Sequence, residues 1–274
     1  RAIVRLSLIY DKPNTVVDEL LSICQAYDLP LDWAVHRHNK LNDKQILQLK
    51  QTGDTPIIAI LKNTPTLIKV EDKTIIKSTL NWSALQHRIV TAGRKSELIL
   101  QACKPQAGMT VLDGTAGFGH DALILASSGA HVTLCESNPV MALLLYYEYQ
   151  AMVQVANWQG LLGRMDIIYK DTSEMTGEFD CVYLDPMFPK DSYKAKVNKQ
   201  MQALHELAAP PTQSEAHQIF CRSMNMIKPN GRLIIKRPIG APYFVQQPPN
   251  HSIQNDALRF DRYDKNGYSA LHLG

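Results

Sequence analysis

The fold is decided by one stretch of sequence, V-L-D-G-T-A-G-F-G-H-D, which occupies residues 111–121. Its apolar start is typical of a β-strand, its glycines of a tight turn, and the residues that follow of a helix. Gly114, Gly117 and Gly119 let the backbone take positive φ and approach a bound ligand closely. A strand, a glycine turn and a helix in this order predict one unit of a parallel α/β sheet.

After about residue 94, short apolar strands alternate with helices, which predicts a doubly wound parallel sheet. The predicted strands are 109–112, 131–135, 165–169, 181–184 and 232–236, and the predicted helices are 121–128, 139–153, 194–207 and 214–226. Asn138 is a good N-cap for the second helix, with Pro139 at its first position. An Asn266-Gly267 turn predicts an antiparallel hairpin of strands 257–263 and 268–273 at one edge. Five parallel strands closed by an antiparallel hairpin predict a Rossmann-like sheet of the methyltransferase kind rather than a plain dinucleotide-binding sheet.

Residues 1–85 are predicted to form a small N-terminal α/β unit, and residues 86–274 the sheet domain. The predicted strands of the small unit are 1–10, 56–61, 66–70 and 74–78, and its helices are 15–27 and 43–51, with Asn42 as an N-cap. No catalytic constellation is found in this unit. A structural or substrate-positioning role is therefore expected for it.

Composition excludes several classes of protein. The chain has 274 residues, 45% hydrophobic, and a formal net charge of only +3, which is typical of a globular protein and not of a disordered or collagenous one. The longest apolar run, 140–147, is far shorter than the roughly 18 residues of a membrane span, and no export signal is found, so a cytoplasmic protein is expected. Five scattered cysteines predict free thiols, with no metal site and no disulfides. A small net charge still permits a local basic face for nucleic acid.

Carboxylates surround the predicted ligand position at the glycine turn. Asp113 ends the strand and Asp121 begins the helix, which disfavours a pyrophosphate at the helix N-terminus and favours a cationic ligand. S-adenosylmethionine, which carries a sulfonium and an ammonium group, is such a ligand. Thr115 and Gly117 of the turn are predicted to contact it, and the glycine spacing is not the G-x-G-x-x-G of dinucleotide sites.

Two later strand ends carry further candidates for the cofactor. Glu136 ends the second strand, 23 residues after Asp113, where doubly wound folds place the carboxylate that receives ribose hydroxyls. Asp171 and Thr172 follow the third strand and are predicted to contact the adenine. Asp171 also suits a cap of the turn that follows it.

The segment D-P-M-F-P at residues 185–189 follows the fourth strand. It resembles the D-P-P-Y or N-P-P-F motif of amino-group methyltransferases, where the acidic or amide side chain and the next carbonyl hold an exocyclic amine. Acceptance of both N–H hydrogens keeps electron density on the nitrogen, so catalysis is mostly positioning. The predicted catalytic residues are therefore Asp185, Pro186 and Phe188, with Phe188 stacking on the base.

Together, D-G-T-A-G-F-G-H-D at residues 113–121, E-S-N-P at 136–139, Y-L-D-P-M-F-P at 183–189 and K-R-P at 236–238 resemble the RsmJ family, from about His87 onward. These are bacterial small-subunit ribosomal RNA (guanine-N2) methyltransferases. The resemblance implies a class I fold, S-adenosylmethionine as cofactor and an RNA guanine as substrate. The cofactor contacts that it implies are His120, Asp121, Glu136, Ser137, Asp171, Thr172 and Asp185.

Lysines gather after the proline motif, where a basic loop beside the catalytic edge is placed to neutralise phosphates. The predicted RNA contacts are Lys190, Lys194, Lys196 and Lys199, with Lys236 and Arg237 on the same face, which Arg88, Arg94 and Lys95 extend. The partner is expected to be small-subunit RNA or the 30S particle, and a monomer is favoured.

Three alternatives stay open at the level of sequence. The same motif type serves methyltransferases that act on DNA or on a protein amide. A nicotinamide-dependent oxidoreductase would need phosphate contacts at the glycine turn, which Asp113 and Asp121 oppose. A non-catalytic RNA-binding protein would keep the fold without the activity.

Overall fold

Two β-sheets follow one another along the chain. The computed structural model describes residues 2–51, 53, 55–186 and 209–266. In the N-terminal part the elements are β1 Val4–Tyr10, α1 Val16–Ala26, β2 Leu31–Arg37, α2 Asp43–Gln51, β3 Ile57–Leu61, β4 Thr64–Glu71 and β5 Thr74–Ser78. The strand order is β2-β1-β3-β4-β5, with β1 parallel to both neighbours and β3, β4 and β5 antiparallel.

The N-terminal predictions are largely confirmed. Four predicted strands and both predicted helices are present, and Asn42 Oδ1 accepts from Gln45 N at 2.9 Å as the N-cap of α2. Strand β2 was not predicted. Its side chains are mostly exposed on both faces, so it lacks the apolar alternation by which strands are recognised.

The second part of the chain builds the larger sheet. Its elements are α3 Gln86–Thr91, α4 Leu98–Cys103, β6 Thr110–Asp113, α5 His120–Ala126, β7 His131–Glu136, α6 Pro139–Met152, α7 Gln159–Leu162, β8 Met165–Tyr169, β9 Phe179–Leu184, α8 Gln213–Met226, β10 Ile227–Pro238, β11 His251–Gln254 and β12 Leu258–Asp264. The order is β11-β12-β10-β9-β6-β7-β8, and the five strands from β10 to β8 are mutually parallel.

The sheet confirms all five predicted parallel strands, and with them the Rossmann-like class. The predicted helix 194–207 lies outside the described residues. Asn138 caps α6 as predicted, since its Oδ1 accepts from Val140 N at 2.9 Å and from Met141 N at 3.2 Å.

The antiparallel hairpin predicted between strands 257–263 and 268–273 is wrong in the strand that pairs with 257–263. Strand β12 matches the predicted strand 257–263, but it pairs antiparallel with β10 on one edge and with β11 on the other. Both edges of β12 are thus occupied, and none is left for the pairing predicted across Asn266-Gly267. Residues 267–274 lie outside the described part of the chain.

One apolar helix, α6, packs against the large sheet and contacts the N-terminal part of the chain. Residues 139–146 of α6 are all buried, because α6 packs on the large sheet and also contacts α1. The ring of Tyr146 stacks on that of Tyr27 with centroids 3.7 Å apart. A single cluster of buried side chains includes Leu20 of the small unit and Leu143 of α6. A division at residue 85 therefore stays a prediction.

No helix of the described chain is long and apolar enough to cross a membrane. The five cysteines are free thiols, and only Cys221 is partly exposed. Within the described ranges no group of three or more His, Cys, Asp or Glu side chains has the arrangement of a metal site.

Candidate active site

The glycine turn after β6 is fastened to the neighbouring strands. Gly114 N donates to the carbonyl of Tyr183 at 2.9 Å, and Gly114 O accepts from Thr172 Oγ1 at 2.6 Å. A Cβ added at Gly114 would lie 2.6 Å from Leu184 Cδ2. Any larger residue would displace the buried Leu184 side chain, so glycine suits the close approach of this turn to β9.

Glu136 connects the turn to the start of α6. Its Oε1 accepts from Gly117 N at 2.9 Å and its Oε2 from Asn138 N at 2.8 Å. Gly117 has φ +54° and Gly119 has φ +81°, which is the left-handed region that favours glycine. The carboxylate is buried, and burial raises its pKa against these hydrogen bonds, which lower it. Glu136, at the end of β7, thus joins the glycine turn to the residue that caps α6.

Asp113 and Asp185 are linked through Thr115. Asp113 Oδ1 accepts from Thr115 N at 3.0 Å and from Thr115 Oγ1 at 3.3 Å, while Asp185 N donates to the same Oγ1 at 2.6 Å. Asp113 is 1% exposed. Burial, together with the nearby Asp121 charge, raises the pKa of Asp113 to about 8. The Thr115 hydroxyl therefore connects the glycine turn to the start of the proline motif by hydrogen bonds.

A chain of four polar side chains crosses the carboxyl edge of the sheet. Tyr183 Oη donates to Asp121 Oδ2 at 2.5 Å, Lys236 Nζ lies 3.4 Å from the same oxygen, and Lys236 Nζ lies 3.6 Å from Asp185 Oδ2. Burial raises the pKa of Asp185, and the Lys236 ammonium lowers it. For Asp121 the net direction is downward: burial raises its pKa, but the Lys236 charge and the Tyr183 hydrogen bond outweigh burial.

The remaining predicted cofactor residues lie around this edge with different surroundings. His120 begins α5 and is partly buried, and burial lowers its pKa. Ser137 is exposed after β7. Thr172 is buried against the glycine turn, whereas Asp171 Oδ1 accepts from Ser173 N at 2.9 Å and caps a short 3-10 helix. Asp171 thus has the capping contact that the sequence also allowed.

Two residues of the site escaped sequence reasoning. Trp82 is fully buried, donates from Nε1 to the carbonyl of Phe118 at 2.8 Å, and would contact a Cβ at Gly119 at 3.0 Å. Tyr183 is also fully buried and bonded to Asp121. A signal for Tyr183 was available, since a tyrosine two residues before Asp185 shares its face of the strand.

The predicted RNA contacts divide into three groups. Phe188 and the lysines at 190, 194, 196 and 199 lie outside the described residues. Lys236 is 21% exposed and bridges Asp121 and Asp185. Arg237 is 4% exposed, donates from Nε to the carbonyl of Pro242 at 3.2 Å and lies over the ring of Phe244. Because Arg237 is buried and already bonded, its placement does not support the predicted phosphate contact. Arg237 and Lys236 are neighbours on one strand, so their side chains point to opposite faces of the sheet.

The donor set at the edge suits a cationic ligand. Asp113, Asp121, Glu136 and Asp185 all belong to the network around the glycine turn. Lys236 forms ion pairs with Asp121 and Asp185, whereas Asp113 and Glu136 form none within the described ranges. An uncompensated buried carboxylate is costly, and a sulfonium or an ammonium group would relieve that cost. The residues therefore fit S-adenosylmethionine, and their contacts with it stay predictions.

A family model and individual relatives both place the chain among methyltransferases. A family model described as a putative SAM-dependent methyltransferase matches residues 40–265. The Ribosomal RNA small subunit methyltransferase J of Psychrobacter arcticus is 42% identical over 271 residues, covering 90% of each chain. The protein of the same name from Psychrobacter cryohalolentis is 44% identical over 247 residues, covering 82% of each.

A solved structure shares the whole fold. The crystal structure of a SAM-dependent methyltransferase from Neisseria gonorrhoeae superposes with a TM-score of 0.68, at 21% identity, and covers 96% of this chain and 97% of its own. The likeness therefore extends over the small N-terminal sheet as well as the large one.

Proposed function

Because the chain belongs to the Ribosomal RNA small subunit methyltransferase J family of S-adenosylmethionine-dependent methyltransferases, we propose that it methylates the exocyclic N2 amine of a guanine in small-subunit ribosomal RNA. The observation that supports this most is the position of Asp185. It directly follows β9, and its backbone N–H is bonded to Thr115 of the glycine turn. The residue proposed to accept hydrogen bonds from the amine is thereby bonded to the turn proposed to hold the cofactor.

In this proposal the chain binds and orients both reactants. Asp113, Thr115, Gly117, His120, Asp121, Glu136, Ser137, Asp171 and Thr172 are the candidates that hold S-adenosylmethionine. When bound, that cofactor supplies a methyl group on a sulfonium sulfur. Glu136 is suited to accept the ribose hydroxyls, because a carboxylate has about four lone-pair sites and the backbone N–H groups around it do not fill all of them.

The side chain of Asp185 and the carbonyl of Pro186 are proposed to accept the two hydrogens of the guanine N2 amine. This directs the nitrogen lone pair away from the protein, toward the methyl donor. Lys236 favours the ionised form of the Asp185 carboxyl, because the ammonium lies 3.6 Å from Oδ2. No strong base is required, since the amine would pass its proton to solvent as or after the new N–C bond forms and the cofactor would leave as the neutral thioether.

The test is to incubate the enzyme with labelled S-adenosylmethionine and, separately, 30S particles, naked small-subunit RNA, DNA and protein. We expect label in RNA only, and N2-methylguanosine after nuclease digestion and mass spectrometry. Label in DNA or protein would contradict the proposal. A cytoplasmic location, a monomeric state and the choice between particle and free RNA stay predictions.

The affinity for the product S-adenosylhomocysteine is expected to rise from about pH 6 to about pH 8. The Asp113 carboxyl, with a pKa of about 8, is mostly protonated below that pH, and its ionised form binds the ligand's ammonium better. Binding then releases a proton, and affinity falls by up to roughly tenfold per pH unit below 8. Calorimetry in two buffers of different ionisation enthalpy measures the released proton.

The control for this titration is Asp113→Asn, which has no carboxyl to titrate. Its affinity should be lower and nearly flat over the same range. A wild-type affinity that does not change with pH, or an Asp113→Asn variant that keeps the wild-type slope, would contradict a role for Asp113 in cofactor binding.

Replacement of Lys236 by Met is expected to move the acid limb of the kcat/KM profile to higher pH. Without the ammonium, the pKa of Asp185 rises further above its usual range, so the ionised carboxylate forms only at a higher pH than in the wild type. Lys236→Arg keeps the charge and should keep the limb near its wild-type position. An equal loss at every pH would indicate a structural role alone.

A further inference from the structure

A basic cavity of about 260 Å³ is lined by the end of α4, by Arg94 and by the neighbouring strands β11 and β12. Its floor is apolar and buried, formed in part by Ala102 and Phe260. Its walls carry four cationic or titratable side chains, Arg94, Lys104, His251 and Arg262. No carboxylate lines the cavity within the residues that the structure describes.

Arg262 provides hydrogen-bond donors that the described chain does not use fully. Its Nε is buried and has no hydrogen-bond partner, although Asp264 Oδ1 lies 3.2 Å away as an ion pair. A guanidinium has five N–H donors, and a buried donor without an acceptor costs free energy. Because Nε already lies against Asp264, an anionic ligand in the cavity would accept from the other N–H donors of the guanidinium.

The register of the sheet fixes the distance from the cavity to the reaction centre. Phe260 is the Cα partner of Lys236 across β10 and β12, and Lys236 contacts Asp185. Arg262 lies two residues farther along the same face, opposite Ile234 toward the amino-terminal end of β10, or roughly 7 Å away at the usual rise of a strand. The Phe260 end of the cavity thus lies one strand away from Lys236, which pairs with Asp185.

We propose that this cavity binds the sugar-phosphate backbone of the RNA beside the target guanine. Arg262 and Arg94 suit phosphate oxygens, because a guanidinium donates two parallel hydrogen bonds to them. The apolar floor suits the carbon face of a ribose. The site therefore contributes affinity and position rather than base specificity. It rests on the proposed function, since the ligand is the RNA substrate of that reaction.

The test compares the triple variant Arg94→Gln, Lys104→Gln and Arg262→Gln with a matched triple variant, Lys44→Gln, Lys62→Gln and Lys73→Gln. Both lose three positive charges, but the second set lies in α2 and in the turns of the N-terminal sheet. Filter binding with transcribed small-subunit RNA over a salt series gives the dissociation constant and its salt slope. Calorimetry with S-adenosylhomocysteine and a thermal melt monitor the cofactor site and the fold.

We expect the cavity variant to bind RNA roughly tenfold more weakly, with a salt slope smaller by about 0.7 for each phosphate that the protein no longer neutralises. Its KM for RNA should rise while kcat at saturation and cofactor affinity are retained. Equal RNA affinity and salt slope in the two triple variants would overturn the proposal. So would tight binding of adenosine monophosphate or inorganic phosphate that depends on Arg262 while RNA affinity does not.

Failure of the proposed function would look different. Wild-type enzyme would then transfer no methyl group to any ribosomal RNA, whereas RNA affinity would still depend on the cavity. Single Arg262→Gln and Arg262→Lys variants refine the outcome, because lysine keeps the charge but loses the paired donors. An effect of Arg262→Lys close to that of Arg262→Gln supports paired donation to a phosphate, and a fully active Arg262→Gln variant opposes it.

Discussion

Asp185→Ala lowers the rate of methyl transfer by roughly 10²- to 10³-fold if Asp185 holds the target amine. Loss of the carboxylate removes an oriented acceptor at the reacting nitrogen, and such groups have effects of this size. Asp185→Asn keeps an oxygen acceptor and should lose less. Single-turnover transfer from labelled S-adenosylmethionine to small-subunit RNA measures the loss, with Asp166→Ala, an exposed acid on β8, as a control.

The fold should survive the substitution at Asp185. Its side chain is 35% exposed, its ion pair with Lys236 is 3.6 Å long, and its backbone contact with Thr115 does not involve the side chain. Thermal unfolding and the affinity for S-adenosylhomocysteine test this directly. An Asp185→Ala enzyme with full activity on its RNA would exclude the mechanism, whereas loss of activity together with unfolding would shift the test to Asp185→Asn.

Trp82→Ala is expected to lower the free energy of unfolding by about 3 to 5 kcal/mol. Trp82 is fully buried where the N-terminal part meets the large sheet, and it packs against Gly119 of the glycine turn. Its removal also frees the carbonyl of Phe118. The turn then loses support, so the affinity for S-adenosylhomocysteine should fall as well. Denaturant unfolding and calorimetry below the transition measure the two effects.

Two variants separate packing from hydrogen bonding at this position. Trp82→Phe keeps most of the ring but not the indole donor, and should cost about 1 to 3 kcal/mol. Trp158→Ala removes an equally large buried side chain elsewhere in the core. Trp158→Ala should lower stability with cofactor affinity little changed. If both tryptophan-to-alanine variants reduced affinity equally, the specific link between Trp82 and the turn would be wrong.

Strand ends were predictable, and they carry most of the candidate site. Asp113, Glu136 and Asp185 were placed at one edge because the carboxyl ends of parallel strands meet there. The structure brings their strands together in that arrangement. Local signals also gave the cap at Asn138 and the five parallel strands.

Long-range contacts were not predictable from local patterns. Trp82 reaches Phe118 across 36 positions, and Tyr183 reaches Asp121 across 62. The hairpin at the sheet edge failed for a related reason, because an Asn-Gly turn carries no information about which edges of β12 are already paired. The alternation of side chains along a strand could have shown that Lys236 and Arg237 do not share a face, since adjacent residues lie on opposite sides of β10.

The Thr115 hydroxyl has a consequence for positional tolerance. It accepts from Asp185 N and donates to Asp113 Oδ1, so the residue proposed to hold the target amine and one proposed to hold the cofactor share a single hydroxyl. The two segments are 70 positions apart along the chain, and the Thr115 hydroxyl joins them directly. The relative position of the two segments therefore depends on two hydrogen bonds. An in-line displacement is sensitive to shifts of the size that such bonds allow.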